Sequence, residues 1–176
     1  MTPVQDHAEV LESERVMFVE IPVATSALGL WTKATQWFLP RGVPPQSRGE
    51  ASTTEAAAIE RVEAAVAARS GWGVRIYRRS NGLRLIVTHA PFDPAGADAQ
   101  GFMRAVGADP TYMDACRTLG RFRVRTAPER EVAAGQRAAV CHMMRRVGVA
   151  SIDPEVAAVI DEHDRVCRAG SSLPLA

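Results

Sequence analysis

The sequence predicts an α+β fold: a small antiparallel sheet, made of a β-hairpin and at least one further strand, with helices packed on one face. Three observations carry this. Two β-rich runs, 72–79 and 83–88, flank Asn81-Gly82, a dipeptide that favours a tight hairpin turn. Residues 121–125 alternate strictly, with Phe122 and Val124 on one side and arginines on the other, as in a half-buried strand. Around these runs, apolar residues recur at helical spacing behind aspartate-proline pairs.

The chain of 176 residues is 47% hydrophobic and 23% charged, which suits one folded domain and excludes a wholly disordered chain. Residues 1–51 read as an N-terminal arm with an apolar segment and a proline/glycine linker, and residues 52–176 as a single α+β domain. No run of about 18 uncharged apolar residues occurs, so no transmembrane span is expected. The net charge is +1, and the positive charge gathers in the middle third. Lys33 is the only lysine, so arginine carries almost all of it. Three cysteines with no paired spacing and an acidic N-terminal stretch predict a cytoplasmic protein with free thiols.

Taken in order, residues 16–21 read as a short strand closed by Pro22. Residues 26–39 read as a helix with Trp31, Trp37 and Phe38 on or beside its apolar face. Such a helix docks on the domain's own core, on a partner or on a membrane surface; the absence of a cationic polar face favours the core. Ser52 and Glu55 have capping-box spacing, and the helix they open runs to about Arg69 with Ile59, Val62 and Val66 inward. In the hairpin, an Asn81-Gly82 type I′ turn sets Tyr77 opposite Ile86 and Ile76 opposite Val87. Val74, Ile76, Leu85 and Val87 then share one face, and Arg75, Tyr77, Arg79, Arg84, Ile86 and Thr88 the other. Asp93-Pro94, Asp109-Pro110 and Asp153-Pro154 open helices that stop at Gly107, Gly120 and Gly170. Tyr112, Cys116 and Leu119 form the stripe of the second of these. A further helix is expected over 129–147, with Val140, Met143, Met144 and Val147 along one side. The apolar tail 173–176 is expected to dock.

The stretch Tyr77 to Thr88, then Phe92-Asp93-Pro94, Gly107-Ala108-Asp109-Pro110, Tyr112, Cys116-Arg117 and Phe122-Arg123-Val124-Arg125, resembles a family of uncharacterised bacterial proteins. Cys141, His163-Asp164, Arg168-Ala169 and the closing Leu173-Pro174-Leu175-Ala176 extend the likeness, which spans roughly residues 70–176. Relatives continue from the arginine strand into a lysine-proline-tryptophan-arginine segment, whereas this chain reads Thr126-Ala127-Pro128-Glu129-Arg130. The resemblance implies a fold boundary and no particular activity.

Three functional readings follow. In the first, a non-catalytic interaction module docks a protein partner or a second copy through Trp31, Trp37 and Phe38. In the second, Arg75, Tyr77, Arg79, Arg84, Arg121, Arg123 and Arg125 share one sheet face and bind nucleic acid by phosphate contact and base stacking. The same arginines equally suit pairing with acidic residues of the N-terminal arm. Arg79 and Arg84, near one another in a bare hairpin, call for an anion from one source or the other. In the third, a metal protein or small enzyme uses Cys141, His142, His163 and Cys167. His163 and Cys167 are four apart, a ligand spacing on a helix, but Cys141 and His142 on a helix point about 100° apart, so no metal residue is assigned. No catalytic residue and no cofactor is assigned either. Cys116 sits in an apolar stripe as a core residue, and His89 is expected to bond to the neighbouring Asp93.

Overall fold

The computed structural model describes residues 10–23, 54–128 and 137–175. The expected helix over 26–39, with Trp31, Trp37 and Phe38, lies outside these residues, as does the linker. In chain order the elements are β1 (Val10–Ser13), β2 (Phe18–Pro22), α1 (Glu55–Ala67), β3 (Gly73–Arg79), β4 (Gly82–Val87), α2 (Ala97–Val106), α3 (Pro110–Leu119), β5 (Phe122–Arg125), β6 (Cys141–Gly148) and α4 (Pro154–Cys167). The fold is α+β. One antiparallel sheet runs β2-β4-β3-β6, and a separate antiparallel pair joins β1 to β5. Among the described residues no helix is long and apolar enough to cross a membrane.

The hairpin forms, but its register differs from the expected one. Ile76 pairs with Leu85, Tyr77 with Arg84 and Arg79 with Gly82, so Ser80 and Asn81 make the loop. Neither has positive φ, so the turn is not type I′. The slip is by two residues in total, which preserves the faces, because strand side chains repeat with period two. Gly82 is needed for another reason: a Cβ there would collide with the Ile21 carbonyl oxygen on β2, where Pro22 pairs with Gly82.

The apolar face of the sheet holds Val19, Ile21, Val74, Ile76, Leu85 and Val87, all buried. It takes α1, which buries Ala58, Ile59, Val62, Ala65 and Val66 and is flanked by α2. Helix α1 is capped by Thr54, whose hydroxyl accepts from the Ala57 amide, rather than from Ser52. Helix α2 begins at Ala97, later than expected, because Asp93 closes a turn of its own on the Ala95 and Gly96 amides. Helices α3 and α4 begin as expected, with Asp109 and Asp153 as caps. Gly107 and Gly120 end α2 and α3 in the left-handed region, but Arg168, not Gly170, takes that role at α4. Cys116 is core, whereas Leu119 beside the α3 cap is 47% exposed.

Three larger corrections shape the site. The helix expected over 129–147 is, in its described part, strand β6 lying against β3. Val140, Met143, Met144 and Val147 fit a helical stripe, but the free edge of β3 offers a full ladder of backbone partners, and β6 takes it. Strand β5 does not join the hairpin; it pairs with β1, so Arg123 sits opposite Glu12. Residues 10–22 are not an arm outside the domain, since β2 is hydrogen-bonded along β4 and buries Phe18, Val19 and Ile21. The tail does dock: the Ala139 amide donates to the Pro174 carbonyl, and Ala139 bridges to Leu175.

Candidate metal and thiol centre

The second face of the sheet carries Phe18, Glu20, Arg75, Tyr77, Arg79, Arg84 and Cys141. Helix α4 covers it with Val156, Ile160, His163 and Cys167. A face so rich in charge is buried only if each charge finds a partner. Glu20 supplies the first. It sits between Val19 and Ile21 in an otherwise apolar strand and accepts from Arg84 Nε at 2.7 Å and from Arg79. Arg84 is fully buried, and its remaining nitrogens donate to the Arg125 carbonyl (2.8 Å), His163 Nε2 (3.2 Å) and Cys167 Sγ (3.5 Å). Burial opposes its charge, but Glu20, Cys167 and Cys141 outweigh that.

On the far side, Asp164 Oδ1 lies 2.9 Å from His163 Nδ1, and Asp164 Oδ2 accepts from Arg75 at 3.2 Å. The carboxylate assigns the proton of neutral His163 to Nδ1 and turns the Nε2 lone pair inward. Burial works against the imidazolium, yet the Asp164 hydrogen bond and the Cys167 sulfur raise the His163 pKa. The Tyr77 ring meets His163 edge-on at 4.8 Å, and Phe18 packs at 5.9 Å. Burial pushes the Tyr77 hydroxyl pKa up.

Cys141, His163 and Cys167 close the constellation. Their donor atoms all lie within 4.8 Å of one another, all three residues are buried, and the thiols are free. Cys141 Sγ is 3.8 Å from His163 Nε2. The Cys141 thiol donates to the Cys167 sulfur, which lowers the Cys167 pKa against the effect of burial; His163 and Arg84 lower it further. The same hydrogen bond, with burial, raises Cys141. Arg84, 3.5 Å from the Cys167 sulfur, and His163 favour negative charge on that sulfur over the Cys141 sulfur.

The structure divides the seven residues proposed for a nucleic-acid surface. Arg75, Tyr77, Arg79 and Arg84 lie under α4; Tyr77 and Arg84 are fully buried and cannot meet a nucleic acid. Arg121 and Arg123, on the β1–β5 pair, reach Glu12 at 2.9 and 2.6 Å, and Arg125 is exposed beside them. The anion called for by Arg79 and Arg84 is Glu20, from the N-terminal stretch. His89 does not bond to Asp93: its Nδ1 accepts from the Gly73 amide at 3.3 Å, and its ring packs on Trp72 and Phe92.

Of the four Cys/His candidates, three come together. On a strand Cys141 and His142 face opposite sides, so His142 is directed away while Cys141 joins His163 and Cys167. Assigning no metal residue followed from placing Cys141 on a helix. Glu20 and Asp164 were missed as site residues, although a lone glutamate within Phe18-Val19-Glu20-Ile21 signals a buried cationic partner. No protein-family model, curated protein or solved structure matches this chain.

Proposed function

We propose that the chain is a metalloprotein in which Cys141, His163 and Cys167 hold a thiophilic ion of the zinc class. The observation that carries this is the meeting of two thiols and one inward-facing imidazole nitrogen within 4.8 Å in a buried position. With Zn–S near 2.3 Å and Zn–N near 2.0 Å, tetrahedral ligand atoms stand about 3.8 Å apart for two sulfurs and about 3.5 Å apart for sulfur and nitrogen. The Cys141–His163 sulfur-to-nitrogen separation of 3.8 Å is a few tenths of an ångström wider, within reach of a side-chain adjustment. The His163–Asp164 hydrogen bond is the outer contact that fixes a ligating imidazole; an ion would take the Nε2 lone pair that Arg84 now meets at 3.2 Å, leaving the same Arg84 nitrogen to face the metal-bound Cys167 thiolate.

The ion's role in this reading is structural. Cys141 comes from β6 and the other two from α4, so one ion ties the helix to the sheet edge. Three protein ligands leave one tetrahedral position for a small exogenous ligand, and burial of all three keeps a substrate from that position, which favours the structural role over catalysis.

The test is metal analysis of the full-length chain purified under reducing conditions, followed by zinc titration of the stripped protein. About one equivalent of bound metal is expected, with stabilisation growing with free zinc, about 4 kcal/mol at a thousandfold excess over Kd. His163→Ala and Cys167→Ala should each abolish that increment. A stripped, folded protein whose stability zinc leaves unchanged overturns the proposal.

A further inference from the structure

We infer that Cys141 and Cys167 are also a redox pair, which hydrogen peroxide closes into an intramolecular disulfide. This goes beyond the metal reading and does not need it, although both use the same sulfurs.

The backbone carries the inference as much as the side chains. The Val140 amide donates to the Cys167 carbonyl at 3.0 Å, and the Met143 amide to the Ala169 carbonyl at 3.2 Å. These two bonds bracket Cys141 and tie its chain to the end of α4, the two segments running in the same direction. Chain segments hydrogen-bonded to one another run about 5 Å apart, inside the Cα range that a disulfide spans. The sulfurs lie within 4.8 Å of each other, so rotation about the side-chain torsions brings them toward bonding distance. Cys116 is not part of this cluster. The pair also sits at the last turn of α4, followed by Arg168 in the left-handed region; helix ends open most readily, which admits a water-sized oxidant.

The chemistry balances in two displacements. The Cys167 sulfur attacks one peroxide oxygen; an S–O bond forms, the O–O bond breaks, and hydroxide leaves as water with the proton Cys167 gave up. The Cys141 sulfur then attacks the sulfenic sulfur; the S–S bond forms, the S–O bond breaks, and a second hydroxide leaves as water with the Cys141 proton. His163 Nε2, 3.8 Å from Cys141 Sγ, is placed to take that proton in passing. In sum two thiols and one hydrogen peroxide give a disulfide and two waters. The oxidised centre has no thiolate left for a metal.

The experiment treats reduced, metal-stripped, full-length protein with hydrogen peroxide near stoichiometry. The expected result is a loss of about 2 Da, reversed by dithiothreitol. Peptide mapping should join Cys141 to Cys167 and leave Cys116 open to alkylation. Cys141→Ser should give no such loss and should instead leave a trappable sulfenic acid on Cys167; the wild-type map decides the matter if that variant does not fold. Oxygen addition with no cross-link, a link to Cys116, a link between chains, or no reaction overturns the inference. Repeating the treatment with zinc separates the two ideas. A disulfide that forms equally fast with zinc present counts against the metal reading alone. Zinc binding by a protein that forms no disulfide when stripped counts against the redox pair alone.

Discussion

Replacing Arg84 by methionine tests whether the second face of the sheet is held by its charges. The side chain is fully buried, so methionine fills most of the volume and the cavity contribution is small. What is lost is the guanidinium that serves Glu20, the Arg125 carbonyl, His163 and Cys167. Breaking a buried ion pair by removing one partner costs about 3–5 kcal/mol. Glu20 keeps Arg79 and is 15% exposed, which places its share at the lower end. The Arg125 carbonyl, left without its donor, adds about 1 kcal/mol. The expected loss is therefore about 3–4 kcal/mol, read as a fall in the urea midpoint at unchanged slope. It corresponds to a drop in Tm of roughly 10 °C for a chain of this size. Arg84→Lys should recover less than half, because an ammonium cannot serve both Glu20 and the Arg125 carbonyl from one position. A loss below about 1 kcal/mol in Arg84→Met would mean that water already solvates this face, and the account of a closed polar centre would be wrong.

Further outcomes follow from the same geometry. The Cys167 pKa is lower in the folded chain than in the unfolded one. Its thiolate therefore contributes stability in full above the ordinary thiol range, and that contribution disappears as the pH falls through the lower folded value. In reduced, metal-stripped protein, the stability gap between wild type and Cys167→Ser should narrow on acidification; a gap that widens refutes the assignment. Gly82→Ala should destabilise by about 1–3 kcal/mol through its collision with Ile21, while Asn81→Ala stays within about 0.5 kcal/mol. Equal sensitivity at both positions in chemical denaturation would restore the type I′ turn. Single-stranded RNA or DNA should show no steeply salt-dependent affinity in an anisotropy titration, because Glu12, Glu20 and Asp164 already neutralise arginines of that surface. Binding at low salt that drops in Arg123→Ala would contradict this.

Local signals in the sequence proved reliable where the deciding contacts are themselves local. Asp109 and Asp153 cap their helices because an aspartate side chain reaches amides two and three residues on. The hairpin faces survive a register error because period-two alternation is indifferent to a slip of two. The failures share a cause as well. Residues 140–147 have helical spacing, and only the free edge of β3, far away in sequence, makes them a strand. Strand β5 has the right alternation but finds β1, more than a hundred residues earlier. The buried centre was legible only in fragments: the four-residue spacing of His163 and Cys167, the need of Arg79 and Arg84 for an anion, and the odd placement of Glu20. Nothing in the spacing of Glu20, Arg84, Cys141 and Asp164 says that β2, β4, β6 and α4 bring them to one point.

That convergence also bears on the order in which the chain is made. Glu20 leaves the ribosome first, Arg84 next, Cys141 and the His163–Cys167 pair last, with about 150 residues between the ends; at typical elongation rates this takes roughly 7–30 s. During that interval β2 and the hairpin can pair, but their charged face has no lid, and Arg84 must remain hydrated. Burial of the guanidinium, closure of α4 and assembly of the two thiols with the imidazole are then a single late event. A nascent chain halted before Cys167 would expose an open, wet sheet face, the kind of surface that quality-control proteases and chaperones engage.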